Sequence, residues 1–342
     1  MVHGLRLAAI VTLVLAIQAS ASASHSKLQR FEAVEPHMGT LVRITVYCAT
    51  VDEAREAFRS GFARIHELDA TLSDYKPDSE LSQITARAVG RPVRVSDDLF
   101  RVLEASQRLA EETGGAFDVT EGPVVRLWRE ARKTGHAPDD EALADAGARS
   151  GFKKLHLDAR ARTVMVDVAG MALDVGAIGK GYAASEALGA IAKRGIRSAL
   201  VAVSGDLAFS NAPPGQSGWR IQIHSEDENA LGVPATVELT NRSVSTSGSS
   251  EQHLDVNGRR YSHVIDPASH MGLVSDITVT VVAPDGLEAD GLDTAASVLG
   301  VQRGLALIES HRDAGGLIVE RTHGSTAALA STRFRKLLEF KH

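Results

Sequence analysis

The spacing of apolar residues at the start of the patterned region predicts a strand followed by helices. Apolar and polar residues alternate over Val42–Tyr47, as they do in a strand with one buried face. From Asp52 the apolar residues recur at helical intervals, and Pro77 prevents that helix from continuing further. Asp78 or Ser79 can cap a second helix directly after the proline.

Further along, a helix is predicted from Ser96, a candidate N-cap, to a stop at Gly114. A β-branched strand at Thr163–Val168 and a helix that ends at Gly195 flank the middle of the chain. The remaining predicted elements are strands at Ala199–Val203, Trp219–His224, Ala235–Leu239, Ile277–Ala283 and Leu317–Glu320, and a helix at about Leu292–Glu309. Because strands and helices interleave without strict alternation, we expect an α+β fold with mixed or antiparallel sheets flanked by helices, forming one catalytic domain over residues 24–342.

Residues 1–23 have the composition of a secretory signal peptide. A single arginine precedes an apolar run from Leu7 to Ile17, and small residues lead to Ala23. The run is too short to be a permanent transmembrane helix, so we expect cleavage after Ala23, export to the periplasm and no stable membrane insertion. The alternative is a buried N-terminal helix. Cys48 is the only cysteine, so the chain has neither an intrachain disulfide nor a cysteine placed for lipid attachment.

The charge of the chain argues against nucleic acid as a partner. The 342 residues include 43 acidic and 37 basic side chains, mixed throughout, and the net charge is −6. Proteins that bind DNA or RNA through electrostatic attraction carry a basic surface instead. A chain of this length can bury a sizeable core, and its length alone allows one large domain or two.

The stretch Leu173–Tyr182 carries a carboxylate, three glycines and a lysine between a predicted strand and a predicted helix. Glycines at such a junction let a ligand approach the backbone, the first amides of the helix lack internal acceptors, and Lys180 adds positive charge. These are the components of a phosphate-binding site. The alternative is a tight turn with a solvated lysine, since the spacing matches neither the dinucleotide nor the nucleoside-triphosphate glycine motif.

Seven polar segments, most of them containing glycine or proline, fall at the ends of predicted elements. They are Met38-Gly39-Thr40, Ser73-Asp74-Tyr75, Ala116-Phe117-Asp118-Val119-Thr120, the stretch from Asp174 to Tyr182, Thr246-Ser247-Gly248, His263-Val264-Ile265-Asp266-Pro267 and Asp290-Gly291-Leu292-Asp293-Thr294. In this order the set resembles the ApbE-type flavin transferases, from about Met38 to Gly300. The most specific matches are Gly115–Asp118, Asp174–Tyr182 and His263–Pro267.

The resemblance implies a FAD:protein FMN transferase. Members of that family bind FAD, break its pyrophosphate with the help of magnesium and esterify the FMN part to a threonine of an acceptor protein, releasing AMP. The expected partners are then FAD as substrate and an acceptor flavoprotein subunit, such as one of a membrane redox complex, and Mg²⁺ is the expected cofactor. Two alternatives stay open, namely an exported FAD pyrophosphatase that uses water as the nucleophile and a carrier that holds FAD without turnover.

The FAD contacts that the resemblance implies fall on eight positions. These are Met38 and Tyr75 for the flavin, Ala116, Phe117 and Asp118 for a dinucleotide-binding edge, Asp174 and Lys180 for the nucleotide, and Val264 as a further lining residue of the same cavity. From the residues alone, Met38 could be a core methionine and Tyr75 an aromatic residue of a turn.

The magnesium ligands that the resemblance implies are the side chains of Asp290 and Thr294 and the backbone carbonyl of Ala177. Magnesium prefers oxygen ligands and keeps water and phosphate oxygens in its coordination shell, so a few protein ligands suffice. From the residues alone, Asp290 or Asp293 could instead cap the helix that follows.

His263 resembles the general base of the family. A neutral imidazole can accept the proton of a threonine hydroxyl near neutral pH. The alternative is a structural turn that Asp266 and Pro267 shape.

The chain departs from the family pattern at three places. Ser204-Gly205-Asp206 stands where Gly-Gly-Asp is common, Ser249-Ser250-Glu251 replaces an acidic-aromatic pair, and Ser185 replaces an aspartate. We expect such changes to alter acceptor or adenine contacts and to leave the central site intact.

Overall fold

The computed structural model describes residues 27–223, 236–248, 253–256, 258–322 and 325–339. The segment expected to be an export signal, residues 1–23, lies wholly outside the described residues, and so does the departure at Ser249–Glu251. The boundaries that we expected for the signal and the domain therefore stay predictions.

Strands account for much of the described chain. In chain order they are β1 (Gln29–His37), β2 (Thr40–Cys48), β3 (Val93–Arg94), β4 (Leu155–Asp158), β5 (Thr163–Val166), β6 (Ser198–Val203), β7 (Asp206–Phe209), β8 (Trp219–Gln222), β9 (Thr236–Leu239), β10 (Arg242–Gly248), β11 (His253–Val256), β12 (Arg259–Ser262), β13 (Ile265–Asp266), β14 (Met271–Gly272), β15 (Asp276–Ala283), β16 (Gly315–Thr322) and β17 (Ser325–Ala330). The five strands predicted after the middle of the chain correspond to β6, β8, β9, β15 and β16.

Eight strands form the main sheet, in the order β1-β2-β6-β7-β10-β15-β16-β17. Every pairing between neighbours in this sheet is antiparallel. Together with the helices described below, this confirms the predicted α+β class with antiparallel sheets flanked by helices.

The helices are α1 (Val51–Leu72), α2 (Glu80–Arg87), α3 (Asp97–Thr113), α4 (Gly122–Thr134), α5 (Asp140–Ala148), α6 (Gly179–Ala192), α7 (Gly286–Ser310) and α8 (Thr332–Glu339). The predicted caps are confirmed. Ser79 Oγ accepts from the Ser82 amide at 3.0 Å, and Ser96 Oγ accepts from the Leu99 amide at 3.3 Å. Gly114 ends α3 in the left-handed conformation, with φ of 65°.

Helix α7 begins six residues before the start predicted at Leu292. Its cap is Asp285, whose side chain accepts from the Glu288 amide at 3.0 Å. The pattern missed this first turn because Gly286 and Gly291 are weak helix formers. Asp290 and Asp293 consequently lie inside the helix, and the alternative that one of them caps it is wrong.

The main sheet has an apolar face on each side. Ile318 of β16 belongs to the core beneath α3 and α7, whereas its neighbours Leu317 and Val319 pack with Trp219 and Phe334, under β8, β9 and α8. This alternation is the two-residue period of a strand buried on both faces. The helix-covered side is the one that carries the site described below.

A smaller apolar cluster holds the segment that contains His263. Val124 and Trp128 of α4 and residues of α5 pack with Leu254 and Ile265, which belong to the short hairpins β11-β12 and β13-β14. These hairpins flank His263 on both sides. In the part of the chain that is described, no helix has the length and apolar character needed to span a membrane.

Candidate active site

Helices α6 and α7 touch through their backbones at their first turns. A Cβ atom on Gly181 would lie 2.1 Å from the carbonyl oxygen of Gly286, and one on Gly286 would lie 2.0 Å from the carbonyl oxygen of Gly181. Only glycine permits such an approach. The contact places Lys180, in the first turn of α6, beside Asp290 of α7.

Lys180 is surrounded by carboxylates. Its Nζ donates to Asp206 Oδ2 at 3.0 Å and lies 3.8 Å from Asp290 Oδ1, while the Gly181 amide donates to Asp290 Oδ2 at 2.9 Å. Burial alone would lower the pKa of Lys180, but the Asp290 and Asp206 carboxylates outweigh it and raise this pKa above its ordinary value. The lysine is therefore charged, and it is already paired within the protein.

A third carboxylate, that of Asp293, joins the cluster through a serine. Ser245 Oγ lies 2.5 Å from Asp206 Oδ1 and 2.6 Å from Asp293 Oδ2. A hydroxyl has one proton and can donate it to only one of the two acceptors, so the other contact requires a protonated carboxyl group. Asp293 is the candidate, because burial and the charges of Asp290 and Asp206 raise its pKa well above the usual range.

The pKa of Asp290 is also raised by the acidic residues around it. Burial and the neighbouring Asp206 carboxylate raise the pKa of Asp290 to about 7, against the opposing effect of Lys180. Three buried carboxyl groups thus face one lysine. A divalent cation would complete this charge balance, whereas a bare phosphate would meet carboxylates first.

The implied magnesium ligands lie on the two elements that meet here. Thr294 Oγ1 donates to Asp293 Oδ1 at 3.2 Å. The turn that contains Ala177 packs on α7, since a Cβ on Gly291 would lie 3.3 Å from Ile178 Cδ1. Carbonyl, hydroxyl and carboxylate oxygens are thus available on neighbouring turns, and this donor chemistry fits magnesium.

Within the described ranges, no group of three or more His, Cys, Asp or Glu side chains is arranged to bind one metal ion on its own. The carbonyl, hydroxyl and carboxylate oxygens on these turns fit a hard cation that takes most of its ligands from the substrate and from water.

Asp174 and Tyr75 are brought together by an arginine. Arg129 of α4 donates to Asp174 Oδ2 at 2.7 Å and also to Asp74, and its Cζ lies 4.2 Å from the centre of the Tyr75 ring. The other Asp174 oxygen accepts from the Gly176 amide at 2.8 Å, which shapes the turn that leads to Lys180. Two predicted FAD contacts that are far apart in the sequence thus share one network.

The segment Ala116–Asp118 uses its side chains within the protein. Phe117 is 2 % exposed and belongs to the core, and the Asp118 carboxylate accepts from both the amide and the hydroxyl of Thr120 and from the Phe152 amide. Ala116 is half-buried and has only a methyl side chain, so the part of this segment that can contact a ligand is its backbone. The segment lies beside the central stretch, because the Asp174 amide donates to the Val119 carbonyl at 2.8 Å.

Met38 occupies the tight turn between β1 and β2. His37 pairs with Thr40, and Met38 and Gly39 both have positive φ, at 51° and 71°. Such a two-residue hairpin turn suits glycine and is strained for methionine. The Met38 side chain is half-buried against the two apolar clusters on the helix side of the sheet.

His263 and Val264 lie between β12 and β13. We call residues 263–272, from His263 to the end of the β13-β14 hairpin, the strap. Val264 lines a small cavity together with Ser247 of β10 and Ser297 of α7. Ser297 Oγ donates to the Asp293 carbonyl at 2.8 Å, so the strap reaches the α7 turn next to the carboxylate cluster.

Sequence reasoning missed four residues of this site, namely Asp206, Ser245, Asp293 and Arg129. Asp293 could have been found, because it lies three residues after Asp290 and such residues share a helix face. Asp206 had been noted only as part of a departure from the family pattern. Nothing in the local sequence marks the other two, which reach the site through strand pairing and through a helix that the pattern did not predict.

Comparisons with known proteins agree in their assignment. A family model described as the ApbE family matches residues 38–318. The FAD:protein FMN transferase of Klebsiella pneumoniae is 33% identical over 308 residues, covering 88% of this chain and 87% of that protein. A solved structure of the Vibrio cholerae flavin transferase ApbE, a histidine-to-glycine variant, gives a TM-score of 0.81 at 28% identity and covers 91% of this chain and 100% of that one. The apo flavinyl transferase ApbE of Pseudomonas stutzeri gives 0.79 at 29% identity, covering 91% and 98%.

Proposed function

The chain belongs to the ApbE family and is a flavin transferase, and we propose that it transfers the FMN part of FAD to a threonine hydroxyl of an acceptor flavoprotein in a magnesium-dependent reaction. One observation carries the proposal beyond the family. Three buried carboxyl groups, those of Asp206, Asp290 and Asp293, converge with Lys180 where α6 and α7 meet. That arrangement calls for a cation between the protein and an anionic substrate.

In this proposal Asp290, Thr294 and the Ala177 carbonyl hold the magnesium ion, and Asp293 adds a further oxygen beside them. Magnesium, when bound, supplies the positive charge that neutralises the FAD pyrophosphate and favours the departure of AMP. Asp206 has a different role, because it receives a direct hydrogen bond from Lys180 at 3.0 Å. It fixes the ammonium group close to the pyrophosphate.

The reaction forms one bond and breaks one. The threonine Oγ attacks the FMN phosphorus, the bond from that phosphorus to the bridging oxygen breaks, and AMP leaves with that oxygen. His263 takes the proton of the threonine hydroxyl. Holding the hydroxyl in line with the leaving oxygen supplies much of the rate gain, because it turns an encounter of two molecules into a reaction within one complex.

The decisive experiment supplies FAD, magnesium and a flavoprotein subunit with a target threonine. We expect AMP and covalently flavinylated acceptor in equal amounts, measured by chromatography and by mass spectrometry of the acceptor. Accumulation of AMP and free FMN with every acceptor unmodified would establish the pyrophosphatase instead. Tight FAD binding without release of AMP would establish the carrier.

We also propose that the protein is exported and acts in the periplasm, because residues 1–23 have the composition of a cleavable signal. Cell fractionation and sequencing of the mature N-terminus test this. We expect a soluble product that starts near Ser24. Recovery in the membrane with Met1 retained would contradict it.

A further inference from the structure

Arg129 is held in one position by two carboxylates. Its guanidinium donates to Asp174 Oδ2 at 2.7 Å and to Asp74, and its side chain is only 19% exposed. The planar guanidinium presents its donors in a fixed fork, so two carboxylates fix both its place and its orientation.

The guanidinium of Arg129 lies over one face of the Tyr75 ring. Arg129 Cζ is 4.2 Å from the ring centre, well within the range of a cation–π contact. Tyr75 is 74% exposed, and it follows directly after Asp74, which the same arginine binds. An exposed tyrosine on a loop ordinarily samples several rotamers, whereas this one has a supported face and an open face.

A supported aromatic ring is a ready surface for stacking. A planar ligand that stacks on it does not have to immobilise it first, and the loss of conformational freedom on binding is correspondingly smaller. Stacked aromatic pairs gain roughly 0.5–1.5 kcal/mol beyond the area that they bury. The isoalloxazine ring of a flavin is planar and large enough to use such a surface.

We propose that Arg129 is a positioning residue that holds the Tyr75 ring as a platform for the flavin ring and ties this platform to the Asp174 turn. The inference rests on the proposed function only in that FAD is the ligand. In this inference Arg129 increases the affinity for the flavin ring through Tyr75, and it does not itself contact the pyrophosphate. Arg129 therefore discriminates ligands that have the ring from ligands that lack it.

Binding measurements with three ligands test this assignment. FAD and FMN contain the flavin ring, and ADP contains the pyrophosphate without it. For Arg129→Ala we expect the dissociation constants of FAD and FMN to rise about tenfold, and that of ADP to rise by a clearly smaller factor, because Asp174 keeps its hydrogen bond from the Gly176 amide. Quenching of flavin fluorescence on binding should weaken in the same variant. Arg126→Ala, which removes an exposed arginine of the same helix, is the matched control and should leave all three values unchanged.

A double-mutant cycle keeps the test informative if Arg129→Ala lowers stability. In a Tyr75→Ala background the arginine should have nothing to support, so adding Arg129→Ala should leave FAD affinity within about twofold. Equal losses for FAD, FMN and ADP would overturn the inference, as would additive effects in the cycle. A wild-type protein that binds neither flavin would instead overturn the proposed function itself.

Discussion

Glu121 Oε2 lies 3.0 Å from His270 Nδ1 and joins the start of α4 to the strap that carries His263. The strap is further fixed by Trp128, whose Nε1 donates to the His270 carbonyl at 2.9 Å. His270 has a φ of 58°, and a Cβ on Gly147 would lie 2.2 Å from its Nε2, so the ring is enclosed on that side. Glu121 is 5% exposed. The segment that bears the proposed base is thus anchored through a buried acid.

This contact predicts a pH dependence of stability. Burial, followed by the charges of Asp118 and Asp266, raises the pKa of Glu121 to about 8, with Lys154 opposing. The folded protein therefore keeps a proton that the unfolded chain loses, and the contribution to stability is full at low pH and disappears as pH rises through about 8. The free energy of unfolding should fall between pH 4.5 and about pH 8 by on the order of 5 kcal/mol, at about 1.36 kcal/mol for each pKa unit.

The control for this prediction is Glu121→Gln, whose amide can donate to Nδ1 at any pH. Because other buried carboxyl groups titrate as well, the informative quantity is the difference between the two denaturation profiles. We expect the variant to be less sensitive to pH between about 5 and 8. Parallel profiles would show that Glu121 titrates normally in the folded protein.

The contact between α6 and α7 predicts opposite effects for two glycines of one helix. Gly181→Ala would place a Cβ 2.1 Å from the Gly286 carbonyl oxygen, so the helices must separate, at a cost of about 3 kcal/mol or more. Gly189→Ala meets nothing within 4 Å and should stabilise by about 0.5–1 kcal/mol. Chemical denaturation measures both. Similar stability of the two variants would mean that the contact is not tight in solution.

The sequence predicted most of this framework where the signal was local. The Ser79 and Ser96 caps, the Gly114 stop and the junction at Asp174–Tyr182 depend on neighbouring residues, and the structure has them where they were expected. The start of α7 was misplaced because Gly286 and Gly291 weaken the helical pattern. Both glycines allow close packing, Gly286 against α6 and Gly291 against Leu109 and Ile178.

The carboxylate cluster could not be derived in the same way. Asp206 begins β7 and Ser245 lies within β10, and the two strands pair antiparallel across 39 residues of sequence. Strand order and register decide which side chains meet, and neither is encoded in the local pattern. The sequence likewise predicted a phosphate-binding site around Lys180 without its carboxylate partners. Those partners, Asp206 and Asp290, come from segments that are distant in the sequence.

His263→Ala should separate binding from chemistry. If the imidazole accepts the threonine proton, the variant binds FAD with little change and loses roughly 10²–10⁴ in transfer rate. His136→Ala, an exposed histidine after α4, is the control and should behave as wild type. Titration of FAD fluorescence and single-turnover transfer assays measure the two quantities. An equal loss of affinity and rate would assign His263 to binding instead.

The crowding of carboxylates predicts that removing one of them stabilises the metal-free protein while disabling the site. Asp293→Asn keeps the shape of the side chain and leaves an amide that can donate to Ser245 as the protonated carboxyl group does, but it removes a group whose ionisation Asp290 and Asp206 oppose. Without magnesium the variant should be more stable than wild type by about 1 kcal/mol, as expected when a strained functional site is relieved. With magnesium at a hundred times its dissociation constant the wild type should gain about 2.7 kcal/mol, and the variant should gain much less.

Asp290→Ala should lower the transfer rate by on the order of 10²–10³ or more, because it removes a ligand that acts in the transition state.

The exposed Asp313 provides the matched control, since Asp313→Asn makes the same substitution far from α6 in the sequence and should leave the magnesium response unchanged. Thermal unfolding with and without magnesium separates the two effects of Asp293→Asn. A site that binds only through backbone and substrate oxygens would show the same magnesium shift in all these proteins. Such a result would remove the carboxylates from the proposed metal site. They would then serve to hold Lys180 and the two helix starts together, a role in which Asp293→Asn would lower stability at every magnesium concentration.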